Sequence, residues 1–300
     1  MQGASQHNTP NGDTDAPVMF FVIGAQKSGT SWLHSYLVAH PQVSMGPIKE
    51  YHYFNKFHGS VENDCRAPRL QSFWRWFARG NLLLRVGEVK SVFSAAVAAF
   101  GSGRSYLDIV RGDQKDARAF GDVSPAYGIL GADAYQEMRD IYPNTKFVFV
   151  MRDPVDRLWS NARMRARRKG YDLDAQSRDY ADLLDRALTH PRMFGYSDYA
   201  RTIKELESVV PSEDILYLFY ETLFSDEGVK ELCAFLGLDF VPGEYTTRVF
   251  KGLNADVSAD WARTAEGRLS HVYSFVRSRF GDRVPAGWRL TGGTSAEGAA

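Results

Sequence analysis

The stretch Val18-Met-Phe-Phe-Val-Ile-Gly-Ala-Gln-Lys-Ser-Gly-Thr-Ser-Trp-Leu33 decides the fold. Its first half is a short run of β-branched, aliphatic and aromatic residues, the composition of a parallel strand buried on both faces. Gly24 and Gly29 then bracket Ala25-Gln26-Lys27-Ser28, and from Thr30 onward Leu33, Tyr36 and Leu37 recur at helical spacing. Strand, glycine-bounded loop and helix in direct succession make a cradle for a phosphate. Amides at the helix N-terminus point into the loop, and the helix dipole favours an anion there.

The loop departs from the GxxxxGK(S/T) frame at one place. Gly24, Gly29 and Ser31 fit it, but Thr30 stands where the lysine belongs. The lysine lies inside the loop instead, as Lys27, and reaches a terminal oxyanion from a different side. An ordinary glycine-rich turn with a surface lysine is the competing reading.

The chain of 300 residues is 44% apolar, enough to bury one sizeable core. Lys and Arg total 36 and Asp and Glu 36, so bulk charge gives no support to nucleic acid or an anionic membrane as partner. Residues 1–17 are polar and lack the basic and apolar segments of a signal peptide; they are expected to be a disordered tail. A single domain is expected over 18–290 and a flexible tail over 291–300. No apolar run approaches the roughly 20 residues of a membrane helix. Cys65 and Cys233 stand in no metal-like or redox spacing, so no metal ligand is assigned. A reducing, cytoplasmic compartment fits this usage, with a lone disulfide left open.

Further strands are expected near Phe120, over 146–151 and over 214–220. Helices are expected over 106–111 behind Ser105, over 132–142, from Pro154, and over 180–188, 199–210 and 225–236. One long amphipathic helix is expected to carry Trp261 through Phe280. This alternation predicts an α/β fold, a parallel β-sheet flanked by helices with right-handed crossovers. The aromatic stripe 73–77 and the Ala-rich stretch 91–100 read as core.

Three clusters carry chemistry. Pro47-Ile-Lys-Glu-Tyr-His-Tyr-Phe54 follows the first helix; if extended, it puts Glu50 and His52 on one side, as general base and second proton handler. A solvated Lys49–Glu50 pair is the bland alternative. Arg152, at the end of the 146–151 strand, and Ser160, on the helix after it, can converge on a second anion. Lys251-Gly252 offers a further phosphate contact. The run Arg163 to Lys169 reads by default as a solvated helix end, with an anionic acceptor as the other possibility. Asp122, Ser124 and Tyr127 are delivered near a strand end, where capping explains the first two equally well.

Taken together these motifs resemble the sulfotransferases that use 3′-phosphoadenosine 5′-phosphosulfate (PAPS). Gln26-Lys-Ser-Gly-Thr-Ser-Trp-Leu33 is similar to their 5′-phosphosulfate loop, and Arg152-Asp-Pro-Val-Asp-Arg-Leu-Trp-Ser160 to their 3′-phosphate motif. Lys251-Gly252 matches their late cofactor-covering loop. Lys49 to Phe54 and Ser124 to Tyr127 resemble the heparan-type, carbohydrate branch, whose base is a glutamate, and Tyr217 to Leu223 also has the family's look. Trp32 follows the loop as in the cytosolic branch, where it packs on adenine. The resemblance implies a P-loop, nucleotide-kinase-like fold without a metal requirement. It implies PAPS as donor and 3′-phosphoadenosine 5′-phosphate (PAP) as product. Gln26, Lys27, Ser28, Gly29, Thr30, Ser31, Trp32, Arg152, Ser160, Lys251 and Gly252 would hold the nucleotide, and Glu50, Lys27 and His52 would carry the chemistry. The acceptor would be a small molecule, carbohydrate or lipid. A kinase-like phosphotransferase on the same fold and a non-catalytic nucleotide-binding protein are the rival functions.

Overall fold

A computed structural model describes residues 16–58, 105–114, 116–171, 177–245 and 258–288. The stripe 73–77, the stretch 91–100, Cys65, Lys251 and Gly252 lie outside the described residues. Among the described residues the strands are β1 (Val18–Gly24), β2 (Val43–Met45), β3 (Ala119–Val123), β4 (Thr145–Met151) and β5 (Ile215–Phe219). They form one sheet in the order β2-β3-β1-β4-β5, and every pairing is parallel.

The helices are α1 (Thr30–Ala39), α2 (Tyr53–His58), α3 (Tyr106–Arg111), α4 (Ala132–Asp140), α5 (Pro154–Lys169) and α6 (Arg178–Thr189). They continue with α7 (Pro191–Gly195), α8 (Tyr199–Glu207), α9 (Tyr220–Leu223), α10 (Asp226–Phe235), α11 (Ala259–Arg268) and α12 (Ser270–Phe280). Among the described residues no helix is long and apolar enough to cross a membrane.

Because side chains alternate across a strand, each strand feeds two cores. Met19, Phe21 and Ile23 of β1 pack with Phe147, Phe149 and Met151 of β4 on the face covered by α4, α5, α8 and α12. Phe20 and Val22 pack with Val148 and Val150 on the other face, under α1 and α10. Burial on both faces explains why β1 and β4 read as unbroken apolar runs.

From β1 the chain crosses to the β2 side, and from β4 it crosses to the β5 side. The reversal opens a crevice at the carboxyl ends of β1 and β4, the place where such sheets bind ligands. Close packing of β3 on β1 depends on Gly121, whose Cβ would lie 2.1 Å from the Phe20 carbonyl oxygen and 2.5 Å from its ring. Gly121→Ala is expected to cost about 3 kcal/mol or more, because backbone of the central strand has nowhere to move. Thermal melting of the purified variant checks this; an unchanged midpoint would contradict the packing.

Three expectations need correction. The sheet has a fifth strand, β2, whose three residues are too few to show a period. The long helix through Trp261 and Phe280 is two helices, broken at Leu269, whose N–H reaches back to the carbonyls of Ala265, Glu266 and Gly267. The break lets Trp261 pack on Trp159 of α5 while Tyr273 reaches Asp153 at its start. The segment after Pro47 is not extended to Phe54, since α2 begins at Tyr53.

Candidate active site

The loop after β1 is stitched to β4 at once, with the Ala25 amide donating to the Val150 carbonyl at 2.7 Å. It then curls through two left-handed residues, Lys27 at φ 77° and Gly29 at φ 84°. At Gly29 a Cβ would also meet Phe224 at 3.0 Å and Tyr220 at 3.2 Å, so both conformation and space select glycine. α1 starts at Thr30, and its first amides, which have no intrahelical acceptor, face the loop. Ser31 is half-buried and accepts a hydrogen bond from Lys49 Nζ at 2.6 Å. Ser28 is fully buried and its hydroxyl has no partner among the described residues.

α5 grips this loop from the side. Arg157 and Asn161, one turn apart, meet the backbone carbonyl and the side-chain oxygen of Gln26 respectively. Arg157 is fully buried and also donates to Ser197 Oγ at 2.6 Å and the Met193 carbonyl at 2.7 Å. Burial lowers its guanidinium to about 10, so it remains a cation at neutral pH. Arg165 donates to Asn161 in turn, at 3.1 Å.

Arg152 ends β4 with its backbone pinned by Tyr199, whose hydroxyl donates to the Arg152 carbonyl at 2.8 Å. Asp153 caps α5 through the amides of Val155 and Asp156, both at 3.0 Å, which fixes where Arg152 leaves the strand. Its guanidinium lies over the Tyr220 ring at 4.6 Å and contacts the Lys27 carbonyl at 3.4 Å. Lys27 therefore sits among cations. Burial, followed by the charges of Arg168, Arg152, Arg163 and Lys49, lowers its ammonium from 10.5 to about 8. A site that depresses a lysine in this way is prepared for an anion.

Glu50 stands on the rim, its side chain 36% exposed, 3.5 Å from Lys49 and 3.3 Å from His52 Nε2. Lys49 thus joins Glu50 to Ser31 at the mouth of the loop. Burial alone would raise the Glu50 carboxyl, but the hydrogen bond from His52 and the charge of Lys49 outweigh it and hold it below its ordinary value. Burial likewise opposes charge on His52, yet the Glu50 hydrogen bond and charge raise it above its ordinary value. The two shifts favour the Glu50 carboxylate and the charged form of His52. His52 has φ 53° and its Nδ1 meets Asn55 Oδ1 at 3.2 Å.

The structure brings Gln26, Lys27, Ser28, Gly29, Thr30 and Ser31 together with Arg152, and places Glu50 and His52 beside them. Ser160 is half-buried on α5, one turn beyond Arg157 and next to Asn161. Trp32, expected against the nucleotide base, is 6% exposed. It stacks on Tyr36, meets Phe224 edge-on and donates to the Glu244 carbonyl at 2.8 Å. The apolar face of α1 claims it for the core. The basic run is divided: Arg163 and Arg165 are half-buried, whereas Arg167, Arg168 and Lys169 are exposed.

Four residues were not singled out from sequence. Lys49 was weighed only as a partner of Glu50; Arg157 and Asn161 could have been found by their i, i+4 spacing on the helix leaving Arg152. His34, one turn after Ser31, is the fourth. Burial and Lys49 lower its imidazole to about 4, and its Nε2 is buried without a partner among the described residues.

A protein-family model described as "Sulfotransferase family" matches residues 17–242. No curated protein matches the chain. Among solved structures, a sulfotransferase from Alicyclobacillus acidocaldarius aligns with a TM-score of 0.59 at 21% identity, over 88% of this chain and 96% of that one. The sulfotransferase domain of the Synechococcus PCC 7002 olefin synthase aligns at 0.41 and 18% identity, over 88% and 98%. Mouse sulfotransferase SULT7A1 complexed with PAP aligns at 0.38 and 14% identity, over 87% and 66%.

Proposed function

Because the chain belongs to the sulfotransferase family, we propose that it moves a sulfuryl group from PAPS to a hydroxyl or amine of an acceptor, with Glu50 as general base. The observation that carries this reading is the meeting of Lys27 and Arg152 across the β1–β4 crevice, beside a carboxylate on its rim. The donor set fits an anionic nucleotide: left-handed loop backbone, a Ser28 hydroxyl without a partner among the described residues, the start of α1, and cations in excess. Gln26 through Ser31 would hold the 5′ end, and Arg152 with Ser160 the 3′-phosphate. Lys251 and Gly252, outside the described residues, stay in the proposal on their sequence motif alone.

When bound, the donor supplies a sulfuryl group attached to a phosphate that leaves with negative charge. Lys27 and the loop amides would stabilise charge on the sulfuryl oxygens and on that phosphate. Glu50 would accept the acceptor's proton, and protonated His52 would hold the carboxylate in position. Lys49 would fix Ser31 and Glu50 relative to each other.

Arg152→Ala tests the nucleotide assignment by calorimetry. PAP affinity is expected to fall about 30- to 100-fold, as for loss of a charge-assisted contact, while AMP affinity changes less than about threefold. Equal losses for PAP and AMP would remove the 3′-phosphate from Arg152. Incubation with radiolabelled PAPS and a lysate from the protein's own source tests transfer and finds the acceptor. Magnesium-dependent ATP consumption without sulfate transfer would instead favour a phosphotransferase.

A further inference from the structure

Behind His52 lies a buried carboxylate to which no role has been given. Asp122, in β3, is fully buried, and three hydroxyls donate to it: Ser124 at 2.6 Å, Tyr127 at 2.7 Å and Tyr106 at 2.8 Å. A carboxylate can accept all three of these hydrogen bonds. Burial raises it from the ordinary carboxylate value, and the three hydroxyls pull the other way.

Two of those hydroxyls face outward as acceptors. Ser124 Oγ takes the His52 amide at 3.5 Å, and Tyr127 OH takes the Tyr53 amide at 3.0 Å. These are consecutive amides at the point where the backbone turns left-handed. A non-glycine residue held at positive φ is strained and persists only when its surroundings fix it. Asn55 completes the hold, donating to the Ala126 carbonyl at 3.1 Å while its oxygen meets His52 Nδ1.

We propose that Asp122 is a positioning residue that acts through Ser124 and Tyr127 to hold His52 in its left-handed conformation against Glu50. The inference rests on the reading of Glu50 and His52 as the proton-handling pair. Among the described residues the charged groups around His52 are Glu50 and Lys49 on its own segment and Asp122 on β3; the phenols of Tyr106 and Tyr127, raised by burial and by Asp122, stay neutral.

The test follows the His52 imidazole by NMR titration in the full chain, assigned by its loss in His52→Asn. In Asp122→Asn the titration is expected to move down by about one pH unit, because a negative charge and the geometry that pairs His52 with Glu50 are both lost. PAP affinity is expected to stay within about twofold, since the loop and Arg152 are untouched. Ser124→Ala and Tyr127→Phe should shift the titration the same way by less, and they serve if Asp122→Asn does not fold. An unchanged His52 titration in folded variants that bind PAP normally would overturn the inference and leave Glu50's assignment standing. Glu50→Gln with normal transfer would sink the base assignment while leaving the coupling of Asp122 to His52 intact.

Discussion

Glu50→Gln is expected to lower turnover of radiolabelled PAPS about 10²- to 10⁴-fold, the range for loss of a general base, with PAP affinity nearly unchanged. The substitution keeps size and hydrogen bonding but removes the only function the proposal gives the group, acceptance of a proton. In the native protein the carboxyl is held below its ordinary value by His52 and Lys49, so it is ionised throughout the neutral range. The direction matters for the pH profile. Activity should hold down to acidic pH and be lost only as Glu50 gains its proton, below the usual carboxylate range. His52→Asn should bring that loss to higher pH, because the partner that depresses Glu50 is gone. Near-normal turnover in Glu50→Gln with PAP bound normally would exclude Glu50 as base and turn attention to His52.

Lys27→Met is expected to reduce turnover about 10²- to 10³-fold, the usual scale for removing one preorganised charge at the site of developing negative charge. PAP binding should also weaken, and its pH dependence supplies a second, independent reading. In the free protein Lys27 titrates at about 8. A bound anion favours the ammonium and raises that value, so binding above pH 8 requires uptake of a proton. Wild-type affinity should be flat below about pH 7 and then fall by up to about tenfold per pH unit above 8. In Lys27→Met the profile should be flat across the same range. A wild-type profile flat to pH 9.5 would show that Lys27 does not meet the anion.

Much of the site was legible because its motifs are local. Strand, loop and helix from Val18 to Leu33 are consecutive, so the glycines, the lysine and the two hydroxyls can be read together as one loop. Arg152-Asp153-Pro154 was legible for the same reason: an apolar strand, an N-cap and a proline in the first turn fix where the arginine stands. The packing around Trp32 was not legible, because spacing along α1 cannot say which aromatic neighbours come from elsewhere. Tyr36 lies on its own helix, but Phe224, Tyr245 and Glu244 arrive from about 200 residues downstream. The single helix expected through Leu269 failed likewise, since its two halves pack on different partners, α5 and α8.

By itself the sequence determined four of the five parallel strands and the glycine-bounded loop with its displaced lysine, because these depend on patterns within about a dozen residues. It did not determine what the chemical groups do to one another. That Lys27 is depressed by burial and by Arg168, Arg152 and Arg163, that Lys49 ties Glu50 to Ser31, and that Asp122 stands behind His52 are facts of the tertiary fold. Electrostatic coupling falls off over a few ångströms of space, not over positions in the chain, so only the assembled β1–β4 crevice could set it.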